Sequence, residues 1–151
     1  MMKNLSHYNN AYRNTLRNII SRLPDSVFSR DDLTDDHSNR EQLRLNRALN
    51  AFMAEGIIVK IAHGLFAKAA PMNFPDEKSS VVLVDAFEAV AIKALNKLGV
   101  KWEWGSAIRE YNDGKTTQVP STFTVHLKSR FRGKISAEGR NVYFEGGVNT
   151  R

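Results

Sequence analysis

The chain contains no cysteine. This absence excludes disulfide bonds, thiolate zinc sites and cysteine nucleophiles. The sequence also lacks an apolar run of the length that crosses a membrane, and its polar N-terminus lacks the apolar core of a signal peptide. We therefore expect a cytoplasmic protein without a membrane partner.

Motifs typical of enzymes are missing as well. Neither Gly-x-Gly-x-x-Gly nor Gly-x-x-x-x-Gly-Lys-Ser/Thr occurs, and the four histidines form no His-x-x-x-His pair. The cluster Asp35-Asp36-His37 could contact a metal, but hard cations need more converging ligands than these three residues supply. We interpret it as a solvated turn. The sequence predicts no enzyme, no catalytic residues, no metal and no cofactor.

The chain does carry an excess of positive charge. Its formal net charge is +6 with a pI near 9.7, which favours an acidic partner such as nucleic acid. Its 151 residues provide for one ordinary domain or two small ones. Hydrophobic content of 42% is typical of a folded protein, so we expect a globular chain and not a wholly disordered one.

The stretch from Ser38 to Lys68 organises the sequence. Ser38 followed by Glu41 predicts a capping box at the start of a helix, and Gly56 predicts its end. Residues between them recur at helical spacing as a stripe that faces a core. This stripe consists of Leu45, Ala48, Leu49, Phe52 and Met53.

Cationic and polar side chains fall on the opposite side of this helix. The arginines are Arg40, Arg44 and Arg47, and Asn39, Leu43 and Asn50 lie beside them. After Gly56 a β-branched run, the pair His63-Gly64 and a second apolar run predict a hairpin with Lys60 and His63 exposed. A helix with an arginine face followed by a hairpin is typical of a winged helix-turn-helix. The alternative is a solvated face whose arginines only maintain solubility.

The residues before this helix complete the winged-helix order. The sequence predicts a first helix from Tyr12 to Leu23, a short strand at Val27-Phe28 and a short helix capped by Ser29. We expect residues 1–70 to form the winged-helix domain. Prolines and the lack of an apolar period predict a linker at residues 71–80, and residues 81–151 are expected to form a small α+β domain.

The second part predicts a long helix from Ser79 or Ser80 to Gly99, with Val84 on its apolar stripe. An alternating strand follows at residues 123–127, and a hairpin is expected around Glu138-Gly139. Four cations alternate along the chain and would share one face of a strand. They are Lys128, Arg130, Arg132 and Lys134. This secondary cationic face could bind DNA backbone or an acidic protein, or be the wet side of a sheet.

Several motifs together resemble a known family. They are the runs from Val27 to Leu33, Ala48 to Asn50, Glu55 to Ile61 and His63 to Phe66, followed by Gly105-Ser106-Ala107, Thr116 to Pro120 and Ser129 to Arg132. In this order they are similar to AbiEi-type antitoxins of type IV toxin–antitoxin systems, over about residues 15 to 145. The resemblance implies an N-terminal winged helix, a small C-terminal domain and autoregulation.

These patterns predict an α+β protein that is a sequence-specific DNA-binding transcriptional regulator. Its expected partner is double-stranded DNA, in the first place its own promoter, which it would repress. The alternative is an antitoxin that acts mainly by binding a cognate toxin protein. A homodimer is compatible with either hypothesis.

Overall fold

The computed structural model describes residues 2–72 and 80–146, whose elements form a mixed α+β architecture. The chain divides into two compact units, residues 1–60 with 64–84 and residues 61–63 with 85–151. The elements of the first are α1 (Met2–Arg22), β1 (Val27–Ser29), a 3-10 turn (Arg30–Asp32), α2 (Asn39–Glu55), β2 (Ile58–Ala62), β3 (Leu65–Met72) and β4 (Ser80–Leu83).

The core of the first unit lies between α1, α2 and the hairpin strands. Leu45, Leu49 and Phe52 from α2 are fully buried, as their helical spacing predicts. They pack with Leu16 and Ile20 of α1 and with apolar residues of β1, β2 and β3. The predicted stripe of α2 is therefore confirmed, with Met53 partly buried at its edge.

Both ends of α2 lie where the sequence predicts them. The Ser38 hydroxyl accepts the Glu41 backbone N–H at 3.3 Å, and Gly56 closes the helix with φ of 79°. Only half of the predicted capping box forms, because the Ser38 N–H donates to the Asp36 carboxylate at 2.9 Å. The Glu41 carboxylate is consequently available for other partners.

The helix expected after Ser29 is a single 3-10 turn, so the prediction of a second α-helix is wrong. The Asp32 carboxylate accepts the Ser29 backbone N–H at 2.8 Å, which closes a tight local turn. Leu33 then becomes buried in the core, and the chain leaves the helical path. The first helix also differs from the prediction, because α1 begins at Met2 and not at Tyr12.

The linker predicted at residues 71–80 is wrong at both ends. Pro71 and Met72 belong to β3, and Ser80 begins β4, which pairs antiparallel with β3 from Ala69↔Leu83 to Met72↔Ser80. Lys68 donates its N–H to Ser26 and accepts the Val84 N–H, so β1 and β4 follow one another along one edge of β3. The division between the units falls after Val84. Residues 73–79 lie outside the described residues.

The second unit is built on α3 and a three-stranded sheet. Its elements are α3 (Phe87–Lys97), β5 (Trp102–Trp104), α4 (Ser106–Asn112), β6 (Thr124–Leu127), β7 (Ser136–Ala137), β8 (Arg140–Asn141) and β9 (Tyr143–Glu145). The sheet order is β5-β6-β9, in which β6 pairs antiparallel with β5 and parallel with β9.

The helix of the second unit starts later than the sequence predicts. α3 begins at Phe87, and Val84 is 60% exposed instead of lying on the apolar stripe. The reason is that the valine-rich run before it pairs with β3, a long-range contact that outweighs the helical spacing. From Phe87 to Leu95 the stripe is buried as predicted, with Val90 and Leu95 fully inaccessible, but Leu98 at its predicted end is 37% exposed.

The predicted hairpin around Glu138-Gly139 is confirmed but short. β7 and β8 have two residues each, and the turn residues have φ of 55° and 72°. Tyr143–Glu145 does not extend this hairpin, because it pairs with β6. Residues 128–135 belong to no strand. The prediction that the four cations share one sheet face is therefore wrong, since the alternation has no partner strand to hold it.

Candidate nucleic-acid interface

The outer face of α2 carries five of the residues that the sequence singles out. Asn39, Arg40, Leu43, Arg47 and Asn50 are all exposed, and Leu43 keeps 56% of its surface accessible. Positions 39 to 50 span about 17 Å along the helix axis at the usual rise per residue. Two guanidinium groups, two amides and one leucine thus lie on one accessible helix surface, which we call the α2 face.

The carboxylates of α2 are held at its edges. Glu41 accepts the Tyr12 hydroxyl at 3.2 Å and forms an ion pair with Arg44 at 2.8 Å. Glu55 forms an ion pair with Arg17 of α1 at 2.7 Å. Because both acids are turned towards α1 and paired with arginines, the α2 face contains only cationic, amide and apolar groups.

Arg44 is a packing residue more than a surface residue. Its guanidinium carbon lies 3.8 Å from the centroid of the Tyr12 ring, and its side chain is 33% exposed. The sequence places Arg44 with Arg40 and Arg47, and the helical spacing does bring it close to them. The contact with Tyr12 places Arg44 at the edge of the α2 face, where its side chain connects α2 to α1. Burial raises the pKa of the Tyr12 phenol, and the Glu41 carboxylate raises it further.

Two further residues stabilise α2, and the sequence pattern does not single out either for this role. Arg17 stacks over the Phe52 ring at 5.1 Å while it pairs with Glu55. Arg30 of the 3-10 turn donates a hydrogen bond to the Asn46 side chain. The only sequence signal for Arg17 is its place on the outer side of the predicted first helix. Its partner could be known only from the packing.

Two acidic side chains, Asp36 and Glu41, lie at the N-terminal end of α2. Asp36 accepts the Ser38 N–H, and this hydrogen bond lowers the pKa of the Asp36 carboxyl. A groove of about 430 Å³ runs past Asp36 and Glu41 to Arg40 and Arg47. An anion is therefore better accommodated towards Arg47 and Asn50 than at the first turn.

The hairpin contributes exposed groups of its own. Lys60 of β2 is exposed, and so is His63 in the turn before Gly64. Residues 61–63 group with the second compact unit, so His63 is not counted in the α2 face. Lys68 of β3 donates to the Leu23 carbonyl at 2.7 Å, which gives this lysine a structural role.

The secondary cationic residues lie on the irregular segment after β6. Arg130, Arg132 and Lys134 are exposed, whereas Lys128 lies 3.9 Å from the Glu103 carboxylate. Arg132 and Lys134 line a groove of about 430 Å³ on the second unit. The structure thus brings two of the four predicted cations to one groove and leaves Lys128 in an ion pair.

Aromatic side chains form a second groove on this unit. Trp102 and Trp104 of β5 meet edge to face, with their ring centroids 5.2 Å apart. Trp104 also contacts Phe123 at 6.0 Å. Trp104, Phe123 and Tyr111 line a cavity of about 410 Å³.

In the parts of the chain that the structure describes, no group of three or more acidic or histidine side chains is placed to hold a metal ion. Within the same residues, no helix combines the length and the apolar character needed to span a membrane. Comparison with protein-family models, curated proteins and solved structures finds no match for this chain. The likeness to AbiEi-type antitoxins therefore depends on the short sequence motifs alone.

Proposed function

We propose that the first unit is a winged helix that binds double-stranded DNA through the α2 face, and that the protein is a sequence-specific transcriptional regulator. The major groove admits one α-helix. In this arrangement Arg40 and Arg47 contact guanine edges or phosphates. The side-chain amides of Asn39 and Asn50 can donate to adenine N7 and accept from the adenine N6 amino group. Leu43 offers an apolar contact to a thymine methyl group.

One observation carries this proposal: the α2 face exposes two arginines while both carboxylates of α2 are paired elsewhere. A face that only maintained solubility would gain nothing from excluding its acids, since mixed charges keep a surface soluble equally well. Because both carboxylates are paired away from it, the α2 face is a positive surface about as long as the part of a helix that enters one major groove. The net charge of +6 acts in the same direction by attracting DNA at long range.

The hairpin is proposed to act as the wing. Lys60 is exposed on β2 and can approach phosphates or the minor groove. The protein's own promoter is the first candidate operator, because the resemblance to autoregulated antitoxins points to it. Repression would follow if the bound protein covers that promoter.

The proposal is tested by fluorescence anisotropy with the duplex upstream of the protein's own gene. Arg47→Ala should weaken binding by about 1–3 kcal/mol if the guanidinium contacts a base. Arg22→Ala is the matched control, because Arg22 is an exposed arginine at the end of α1. Equal affinities for the two variants would contradict the α2 assignment. A promoter fusion that is derepressed by Arg47→Ala, but not by Arg22→Ala, would support autorepression.

The second candidate function is an antitoxin that neutralises a toxin by direct contact. The aromatic groove of the second unit favours it, since Trp104 and Tyr111 line the groove while remaining 36% and 41% exposed. Val119, in the segment that leads into the groove wall at Pro120, is 66% exposed. Exposed aromatic residues around a concavity are enriched at protein interfaces.

Co-expression with the product of the adjacent gene tests this second candidate. Tyr111→Ala should prevent co-purification and leave DNA binding intact, since Tyr111 lies on α4 of the second unit. Glu110→Ala, a neighbouring exposed residue that does not line the groove, is the control. Co-purification that survives Tyr111→Ala would speak against a toxin in this groove.

A further inference from the structure

The groove beside β9 combines positive charge with an accessible aromatic ring. It measures about 430 Å³ and lies between the segment after β6 and the strands β8 and β9. Ile135 and Val142 are buried and form its apolar base. Arg132, Lys134 and Tyr143 line it as well. This groove is distinct from the α2 face and from the aromatic groove at Trp104.

The charge of the groove has one sign. Among its lining residues in the described part of the chain, Arg132 and Lys134 are cations and none is a carboxylate. Residues 128–137 contain four basic side chains and no acidic one. Lys128 is paired with Glu103, and Arg130 is exposed on the same segment, two residues before Arg132. The ligand that fits is therefore an anion with more than one charge.

The aromatic part of the groove is not explained by packing. Tyr143 keeps 51% of its surface exposed, although it belongs to a strand that pairs with the buried β6. Phe144, in contrast, meets Phe131 edge to face at 5.4 Å. A partly exposed ring next to two cations offers a stacking surface for a planar group that is attached to an anion.

We propose that this groove binds single-stranded nucleic acid, with a base stacked on Tyr143 and backbone phosphates on Arg132 and Lys134. A duplex keeps the faces of its bases stacked inside, so it could not use the ring of Tyr143. A free nucleoside monophosphate could use the ring, but it brings one phosphate for the two cations of the groove. An acidic peptide would use the cations but has no base to stack. The proposal does not depend on duplex binding by the α2 face.

The test measures anisotropy of a labelled oligothymidylate of about 12 nucleotides, a length within the site sizes of single-strand binding domains. Tyr143→Leu should weaken binding about tenfold, the effect of losing one stacked base, whereas Tyr143→Phe should retain it. Lys134→Ala should reduce the slope of log affinity against log salt by about 0.7, the contribution of one phosphate contact on a single strand. Lys115→Ala removes an exposed lysine outside the groove and should leave the slope unchanged.

The competing ligands give distinct results. If thymidine monophosphate displaced the oligonucleotide at equal nucleotide concentration, the ligand of the groove would be a free nucleotide instead of a strand, and the proposal would be overturned. Equal displacement by polyglutamate, or equal binding by Tyr143→Leu and Tyr143→Phe, would overturn it too. Arg47→Ala should leave single-strand binding unchanged. Unchanged duplex binding by Arg47→Ala, with the Tyr143 effect retained, therefore refutes the α2 face alone. Loss of the Tyr143 effect, with the Arg47 effect on duplex binding retained, refutes this groove alone.

Discussion

Arg44 and Arg47 lie three residues apart on α2, yet the structure predicts opposite consequences for their removal. Arg47 is exposed on the α2 face, whereas Arg44 stacks on Tyr12 at 3.8 Å and pairs with Glu41 at 2.8 Å. We expect Arg44→Ala to destabilise the protein and Arg47→Ala to weaken DNA binding. The sequence alone predicts the same phenotype for both.

The cost of Arg44→Ala follows from its two contacts. A cation over an aromatic ring at a partly exposed site contributes about 1 kcal/mol. The ion pair with Glu41, three residues earlier on the same helix, adds about 0.3 kcal/mol after screening by solvent. The expected loss is therefore about 1.3 kcal/mol, while Arg47→Ala should stay within about 0.5 kcal/mol of the wild type.

Urea unfolding followed by circular dichroism measures this difference, and a double-mutant cycle assigns it. Arg44→Ala combined with Tyr12→Leu should show a coupling energy of about 1 kcal/mol, because each variant removes the same contact. Tyr12→Phe keeps the ring and loses only the hydrogen bond to Glu41, so it serves as the control. The Tyr12 pKa should rise further in Arg44→Ala, since the guanidinium cation stabilises the phenolate. A coupling energy near zero, with stable Arg44→Ala protein, would refute the reasoning.

Two further variants test the fold and the interface. Gly56→Ala should lower the unfolding free energy more than Gly64→Ala does. Both glycines have a left-handed φ, where alanine is strained by about 1 kcal/mol, but of the two only at Gly56 would a Cβ meet other atoms, Val81 Cγ2 at 3.1 Å and Pro71 Cβ at 3.3 Å. Equal unfolding free energies would show that β3 and β4 do not pack on this turn. Asp36→Asn keeps the acceptor for the Ser38 N–H and removes a negative charge from the N-terminal end of α2. Duplex DNA should therefore bind about twofold more tightly at low salt, the effect of one charge about 10 Å away in water. Unchanged affinity would place the DNA elsewhere.

Local signals in the sequence were sufficient for α2 and the hairpin. Ser38 and Gly56 determine the ends of the helix through contacts with neighbours within a few residues, and the stripe from Leu45 to Phe52 has the period of the helix itself. The pair His63-Gly64 likewise marks a turn between two strands because Gly64 tolerates a φ of 75°. Such features depend on a few consecutive residues, so they can be inferred without knowing the fold.

Long-range pairing limited the prediction of the domain boundary. The run from Ser80 to Val84 reads as the start of a helix, since Val84 and Phe87 have helical spacing. Its backbone instead pairs with β3. Val81, Val82 and Val84 favour a strand as well, so the local signal was ambiguous and the pairing with β3 decided it. The cations from Lys128 to Lys134 show the reverse error. Their alternation fits a strand, but the described structure gives residues 128–135 no partner strand.

The amino-acid sequence by itself determined the excess of positive charge, the lack of thiol chemistry and which side of α2 faces the core. The tertiary structure decided which arginines stay accessible. Arg44 contacts a tyrosine 32 positions earlier, and Arg47 contacts none of the aromatic rings in the described residues. Hydrophobic periodicity reports which side of a helix is buried, but the packing of α1 against α2 decides whether a cation at the edge of that side meets a ring or solvent.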